Sequence, residues 1–231
     1  MTQKTSPIGS DPMNEPARDI SSKAPTERPK LILDRWNLTH EEFTAIVDAN
    51  PSLRGIALGY IAEHKFQSMF LTNPDISKVR KDDDHDRKRK GDRAFFYRGH
   101  EFIVEVKSLQ TNSIKKQGDL WSGKSQVDAS DRRTLYFRDG STLETTCLLR
   151  GEFDILAVNC YAFGDRWQFA FALNRDLPKN TYRKYNQAQQ EALLPTLITV
   201  TWPPQPPFVT DIFVLLDILA EERVTKLPNN I

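Results

Sequence analysis

The sequence predicts an α/β fold in which helices flank a mixed β-sheet. Three observations carry this prediction. Residues 39–71 have the capping signal and apolar spacing of two helices. Residues 91–108 contain two strand-like runs joined by a glycine turn, and residues 143–173 contain three more. Among these, the run DILAVNCYAF is almost continuously apolar, which is typical of a central strand covered on both faces.

The composition is that of a globular protein and leaves the binding partner open. The 231 residues include 32 Lys and Arg against 31 Asp and Glu, so net charge gives no general signal for nucleic acid. No apolar run approaches the roughly 18 residues of a membrane span. Residues 1–19 lack the apolar core of a signal peptide. We therefore expect a cytoplasmic protein with no membrane attachment.

The N-terminal third predicts a tail followed by two helices. Residues 1–29 are polar and rich in Pro, which predicts a disordered tail ahead of one folded domain over 30–231. Thr39 and Glu42 form a capping box for a first helix. A second helix is predicted over residues 53–71, and Glu63 lies within its apolar stripe. A carboxylate there needs a partner, either an Arg at the core edge or a functional site.

The stretch GDRAFFYRGHEFIVEVKS, residues 91–108, predicts a hairpin that carries reactive side chains. Successive residues of a strand face opposite sides, so Glu105 and Lys107 share one face. Asp92 opens the neighbouring strand. Two carboxylates suit Mg²⁺, and a nearby lysine can polarise water or stabilise charge on a phosphate. An ordinary ion pair on a half-exposed edge strand is the alternative interpretation.

Two basic segments flank this hairpin. The first comprises Arg87, Lys88, Arg89 and Lys90, directly before Asp92. The second covers residues 109–138, has few apolar residues without periodicity, and is predicted to be a partly mobile excursion around Trp121. Both segments are candidates for phosphate binding or, equally, solvated loops. The candidate phosphate-binding residues in the second segment are Lys115, Lys116, Lys124, Arg132 and Arg133.

The C-terminal half predicts the rest of the sheet and its closing helices. Strands are expected over residues 143–149, 153–163 and 167–173, with turns at Gly151 and Gly164. A short helix over 187–194 and a strand over 197–202 follow. The proline-rich break at 203–207 precedes a final amphipathic helix from about residue 209 to 223.

The order of these elements resembles the PD-(D/E)XK nuclease superfamily, which has the restriction endonuclease-like fold. Glu63, Asp92 and Glu105-Val106-Lys107 carry the resemblance. Gly91 stands where Pro often precedes the Asp in that superfamily. The stretches KSQVDASDRR and GEFDILAVNCYAFGDRWQFAFALNRDLP also resemble a group of bacterial restriction endonuclease-like proteins, over about residues 55–210.

The resemblance implies a restriction-type, Mg²⁺-dependent DNA endonuclease, with Mn²⁺ as a possible substitute. It implies metal binding by Asp92, Glu105, the Val106 carbonyl and Glu63, with Lys107 as the cationic catalytic residue. In some branches a Gln after the Glu-x-Lys strand assists, which points to Gln126. A homodimer is expected if both strands of a duplex are cut in one visit.

Two other functions fit parts of the sequence. The segment from Gly118 to Ser125 matches the phosphate-loop pattern G-x-x-x-x-G-K-[ST], but no buried strand is predicted before it and no amphipathic helix after it. A catalytically inactive DNA-binding module on the same fold is the other alternative. The complete set of Asp92, Glu105 and Lys107 argues against it, because binding alone does not need a metal site.

Overall fold

A computed structural model describes residues 30–81 and 91–225, and the chain divides into two compact units, residues 1–49 and 50–231. The described part of the first unit contains α1 (Ile32–Trp36) and α2 (His40–Ala49), neither of which has a buried residue. The Thr39 N–H donates to the Glu42 carboxylate at 2.8 Å, and the Glu42 N–H donates to Thr39 Oγ1 at 3.1 Å. The predicted capping box is confirmed. The tail predicted over residues 1–29 lies outside the described residues, and the single domain expected over 30–231 stays a prediction.

The second unit contains three helices and ten strands within its described residues. In chain order these are α3 (Pro51–Phe70), β1 (Ile76–Arg80), β2 (Arg93–Tyr97), β3 (His100–Ser108), β4 (Lys115–Gln117), β5 (Leu120–Gln126), β6 (Asp128–Tyr136), β7 (Thr142–Cys147), β8 (Ile155–Asn159), β9 (Phe169–Leu173), α4 (Gln187–Ala192), β10 (Leu197–Trp202) and α5 (Ile212–Thr225). The helices predicted around residues 53–71, 187–194 and 209–223 are confirmed.

The central sheet has five strands in the order β1-β2-β3-β8-β9. Strands β3 and β8 are parallel, and the other neighbours are antiparallel, so the predicted mixed α/β architecture is confirmed. Strands β2 and β3 join through Arg98 and Gly99, with φ of 48° and 80°. Two positive φ values in a two-residue loop give the twist that suits a tight hairpin.

The two faces of the central sheet pack against different layers. On one face, Phe66 of α3 and Leu216 of α5 are fully buried with Val104 and other sheet residues. On the other face, Leu156 packs with Ile198 from the sheet β10-β5-β4. Every residue of β8 is buried, as predicted for a central strand. Helices thus cover one face of the sheet and a smaller sheet covers the other.

The prediction of an excursion without strands over residues 109–138 is wrong, because β4, β5 and β6 all lie there. The buried positions of β5 are Gly123 and Ser125, so its inward face has no apolar alternation to detect. A Cβ on Gly123 would lie 3.2 Å from the Phe163 ring, which explains the glycine. A search for apolar periodicity does not detect a strand whose inward face consists of small, partly polar residues packed closely on another segment.

The same strand contradicts the phosphate-loop alternative. Residues 120–126 lie in the middle of the antiparallel sheet β10-β5-β4, and strand β6 follows where a phosphate-binding helix is required. The match from Gly118 to Ser125 is therefore coincidental. Among the described residues, no helix has both the length and the apolar character that crossing a membrane requires.

Candidate active site

A cleft of about 1040 Å³ opens where β3 extends beyond the start of β2. It is bordered by α3, the end of β3, β6 and the turn that precedes β8. Several residues predicted from the sequence line it together, namely Glu63, Asp92, Glu105, Val106, Lys107, Arg132 and Arg133. The fold therefore brings to one cleft side chains that are up to 70 positions apart in the sequence, from 63 to 133.

Glu105 and Lys107 form a close, largely buried ion pair at the end of β3. Lys107 Nζ lies 2.5 Å from Glu105 Oε1. The strand alternation that buries Val104 and Val106 against the helices turns both charged side chains to the opposite face, as the sequence predicted. Glu105 is only 7% exposed, so the pair is not the solvated surface bridge of an edge strand.

Asp92 is held against the same stretch of β3 by its backbone and its side chain. Its N–H donates to the Val104 carbonyl at 2.9 Å, and its Oδ2 accepts the Val106 N–H at 2.7 Å. Strand β2 begins only at Arg93, so no strand residue is available for the Val106 amide, and the carboxylate takes that place. In a strand the N–H and C=O of one residue point the same way, so the Val106 carbonyl shares this edge.

Gly91 allows Asp92 to approach β3 this closely. Its φ is +76°, and a Cβ built there would lie 2.4 Å from Ile103 Cγ2 and 3.1 Å from the Val104 oxygen. Proline cannot adopt this conformation, because its ring fixes φ near −65°. The presence of Gly and not Pro at this position thus follows from the local backbone.

Burial and neighbouring charge shape the titration of this cluster. Burial raises the pKa of Glu105 from 4.5 to about 7, with a further increase from Asp92, although Lys107 opposes the change. Burial disfavours the charged form of Lys107, but the carboxylates of Glu105 and Asp92 outweigh it and raise the Lys107 pKa. The lysine therefore stays cationic at neutral pH, whereas Glu105 is close to its titration point.

Glu63 lines the cleft and belongs to an ion-pair network. Its Oε2 lies 2.7 Å from Arg93 Nη1 and 3.1 Å from Lys81 Nζ. The described residues contain no cluster of three His, Cys, Asp or Glu side chains placed to hold a metal ion. Glu63 therefore has an arginine partner, which is one of the two arrangements that the sequence predicted. Its role as a metal ligand stays a prediction.

Gln126 lies at the end of β5, exposed and outside the lining of the cleft. Its Oε1 accepts from Gln110 Nε2 at 2.9 Å, and its Nε2 donates to Asp128 Oδ2 at 3.1 Å. Asp128 does line the cleft, and its charge contributes to the raised pKa of Lys107. Gln126 therefore contacts a cleft residue without facing the reactive cluster, and its catalytic role stays a prediction.

The predicted phosphate-binding residues fall into three groups. Arg132 and Arg133 line the cleft, and Arg133 pairs with the carboxylate of Glu152. Lys115, Lys116 and Lys124 are exposed on strands β4 and β5, away from the cleft lining. Arg87, Lys88, Arg89 and Lys90 lie outside the described residues. The binding of DNA by any of them stays a prediction.

Sequence reasoning missed Arg93 and Asp128 as parts of this site. Arg93 alternates with the buried residues Phe95 and Tyr97, so the pattern of β2 places a cation on its buried face. A buried cation needs a partner, and the inward-facing Glu63 was the available one. Asp128 offered no such signal, because its strand β6 departs from regular register between Asp128 and Arg133.

Comparisons with known proteins add little to this geometry. No family model matches the chain, and no curated protein matches it either. Among solved structures, the bacterial homing endonuclease I-Ssp6803I is similar over 58% of this chain and 85% of its own, with 17% sequence identity and a TM-score of 0.32. A likeness this distant does not bear on family or activity, so the functional argument stands on the cleft.

Proposed function

We propose that this protein is a metal-dependent DNA endonuclease of the restriction type, with the restriction endonuclease-like fold. The observation that supports the proposal is the convergence of Asp92, Glu105 and Lys107 at one end of β3. Lys107 Nζ lies 2.5 Å from Glu105 Oε1 in a largely buried ion pair, and the Asp92 carboxylate accepts the N–H of the intervening residue Val106. Structural ion pairs do not need a second carboxylate that raises the pKa of the first, whereas metal-dependent phosphodiester hydrolysis uses such a set.

The residues fit a divalent cation such as Mg²⁺ or Mn²⁺. Mg²⁺ is commonly held by one or two carboxylates and retains several waters, so Asp92, Glu105 and the Val106 carbonyl form an adequate set. Burial raises the pKa of Glu105 in the metal-free protein, the charge of Asp92 raises it further, and a bound cation would favour the ionised carboxylate. Glu63 is left out of the ligand set because it is already paired with Arg93 and Lys81.

Each residue of the cluster has a distinct role. When bound, the cation supplies Lewis-acid polarisation of the scissile phosphate and favours loss of a proton from the attacking water. Asp92 and Glu105 bind the cation. Lys107, whose raised pKa keeps it protonated, donates hydrogen bonds to the phosphate and stabilises the negative charge that develops in the transition state. A protonated Lys107 orients water but does not act as the general base.

The substrate in this proposal is DNA, held by basic side chains in the cleft and on strands β4 and β5. Arg132 lies on the cleft wall and can contact the scissile strand. Lys115, Lys116 and Lys124 would contact phosphates further along the duplex, since each phosphate contact adds affinity and salt dependence. Cleavage of both strands in one visit requires two such sites, which is why a homodimer belongs to the proposal.

The test is incubation of supercoiled plasmid with Mg²⁺, Mn²⁺ or EDTA, beside the variants Lys107→Ala and Lys179→Ala. Lys179 is an exposed lysine outside the cleft lining and serves as the matched control. We expect nicked or linear product with either metal, none with EDTA, and none with Lys107→Ala. Nicking that persists in Lys107→Ala would contradict the proposal. Plasmid binding without cleavage in all conditions would favour the inactive DNA-binding module.

A further inference from the structure

Arg93 is a buried cation that joins helix α3 to the main chain of Asp92. Its exposed fraction is 6%. One guanidinium nitrogen, Nη1, donates to Glu63 Oε2 at 2.7 Å and to the Asp92 main-chain oxygen at 2.7 Å. Nε donates to Gln67 Oε1 at 3.2 Å. The guanidinium therefore has two acceptors on the helix and one on the peptide of a proposed metal ligand.

Apart from its N–H and carboxylate contacts with β3, Asp92 lies outside the strand ladders. It lies one residue beyond the β2–β3 ladder, which ends at Arg93 with Val104, and two residues beyond the β1–β2 ladder, which ends at Ala94 with Arg80. Its own N–H reaches β3, but its carbonyl has no strand partner within these ladders. The contact from Arg93 Nη1 occupies that carbonyl. A displaced peptide here would displace the carboxylate that accepts the Val106 N–H.

Glu63 completes this arrangement from the helix. A guanidinium with only a carbonyl and an amide for partners would be an uncompensated buried charge, which is strongly destabilising. The planar fork of Arg allows several simultaneous contacts in fixed directions, and the single ammonium of Lys cannot reproduce them. The charge balance of the buried guanidinium and the directions of its hydrogen bonds therefore both depend on the combination of Glu63, Gln67 and Arg93.

We propose that Arg93 is a positioning residue for the catalytic cluster. Anchored to α3 by Glu63 and Gln67, it fixes the Asp92 peptide and so the placement of the Asp92 carboxylate beside Glu105. Glu63 then acts through Arg93 and is not itself a metal ligand. This inference rests on the proposed function, because the placement of the Asp92 carboxylate matters here for binding a divalent cation.

The test compares Arg93→Lys with Arg223→Lys. Arg223 is a half-buried, paired arginine, with Asp154 Oδ1 at 2.5 Å from its Nη2, and it does not line the cleft. Calorimetric titration with Mn²⁺ measures metal affinity, and NMR hydrogen exchange measures protection of the Val106 amide. We expect Arg93→Lys to raise the Mn²⁺ Kd about tenfold, the lower end for residues that orient ligands. The Val106 amide should exchange faster in the same variant, and Arg223→Lys should change neither quantity.

The role of Glu63 is separated by a double variant. Because Glu63 acts through Arg93, Glu63→Gln combined with Arg93→Lys should lose no more Mn²⁺ affinity than Arg93→Lys alone. A further loss as large as that of Asp92→Asn would identify Glu63 as a ligand and overturn the inference. Should Arg93→Lys fail to fold, Gln67→Ala removes only the Nε contact and gives the same two readouts.

The amide measurement keeps this inference distinct from the proposed function. If the wild-type protein binds no Mn²⁺, the proposed function fails, yet the Val106 amide still reports whether Arg93 positions Asp92. Unchanged Val106 protection in Arg93→Lys would overturn the positioning role even in a protein that binds metal and cleaves DNA.

Discussion

Replacement of Glu105 by Gln tests whether burial or ion pairing dominates at the centre of the cleft. The Glu105 pKa is raised from 4.5 to about 7 with Lys107 present and charged. The folded protein therefore retains a proton that the unfolded chain has lost between these pH values, and stability falls as pH rises through this window. The penalty on the ionised carboxylate is on the order of 3 kcal/mol above pH 7.

Glutamine has the shape of the protonated acid and does not titrate. We therefore expect metal-free Glu105→Gln to match the wild type near pH 4.5 and to exceed its stability at pH 8. For a chain of this size a gain of about 3 kcal/mol corresponds to a Tm increase of roughly 6 to 12 °C. Because the proposed DNA cleavage uses the Glu105 carboxylate, activity should be lost in the same variant.

The assay is thermal unfolding in EDTA from pH 4.5 to 8, with Glu144→Gln as the control for loss of an exposed carboxylate. The decisive quantity is the difference in Tm between variant and wild type as a function of pH. A variant that is less stable than the wild type at pH 8 would show that the Glu105–Lys107 pair is net stabilising. A difference that does not change with pH would refute the role of Glu105 titration.

Three further expectations concern other parts of the chain. Gly91→Ala should lower the free energy of unfolding by on the order of 1–3 kcal/mol more than Gly99→Ala in urea titrations, because both glycines have positive φ but only Gly91 has atoms within 4 Å of an added Cβ. Lys124→Ala should weaken DNA binding in fluorescence anisotropy and reduce its salt slope by about one, with the cleavage rate at saturating DNA unchanged. Deletion of residues 2–29 should leave the Tm almost unchanged in calorimetry, and a fall of several degrees would show that this segment contributes to stability.

The parts of the fold that follow strong local rules could be predicted from the sequence. The hairpin around Gly99, the capping box at Thr39 and the buried strand β8 each depend on near-neighbour chemistry that a single sequence shows directly. The same alternation of β3 placed Glu105 beside Lys107, and the structure confirms that placement.

The remaining features depend on contacts between distant segments. Strand β5 has Gly123 and Ser125 as its buried positions, and at Gly123 the Phe163 ring occupies the space that a side chain would fill. The Arg93 contact with Glu63 joins positions 30 residues apart, so it could be foreseen as a need for a partner but not as a specific pair. Asp128 lies at one end of a register irregularity in the β6–β7 pairing, which no apolar pattern encodes.

The parallel pairing of β3 with β8 also determines when a working protein can exist during synthesis. The register joins Glu105 to Leu156 and Lys107 to Val158, so each pair is 51 positions apart in the chain. Ribosomes add about 5–20 residues per second, so several seconds pass between synthesis of the Glu105–Lys107 segment and synthesis of β8. A nascent or truncated chain that ends before β8 therefore carries Asp92, Glu105 and Lys107 but lacks the parallel neighbour of β3 in the central sheet. For the proposed nuclease function, a chain that ends before β8 is therefore expected to be inactive.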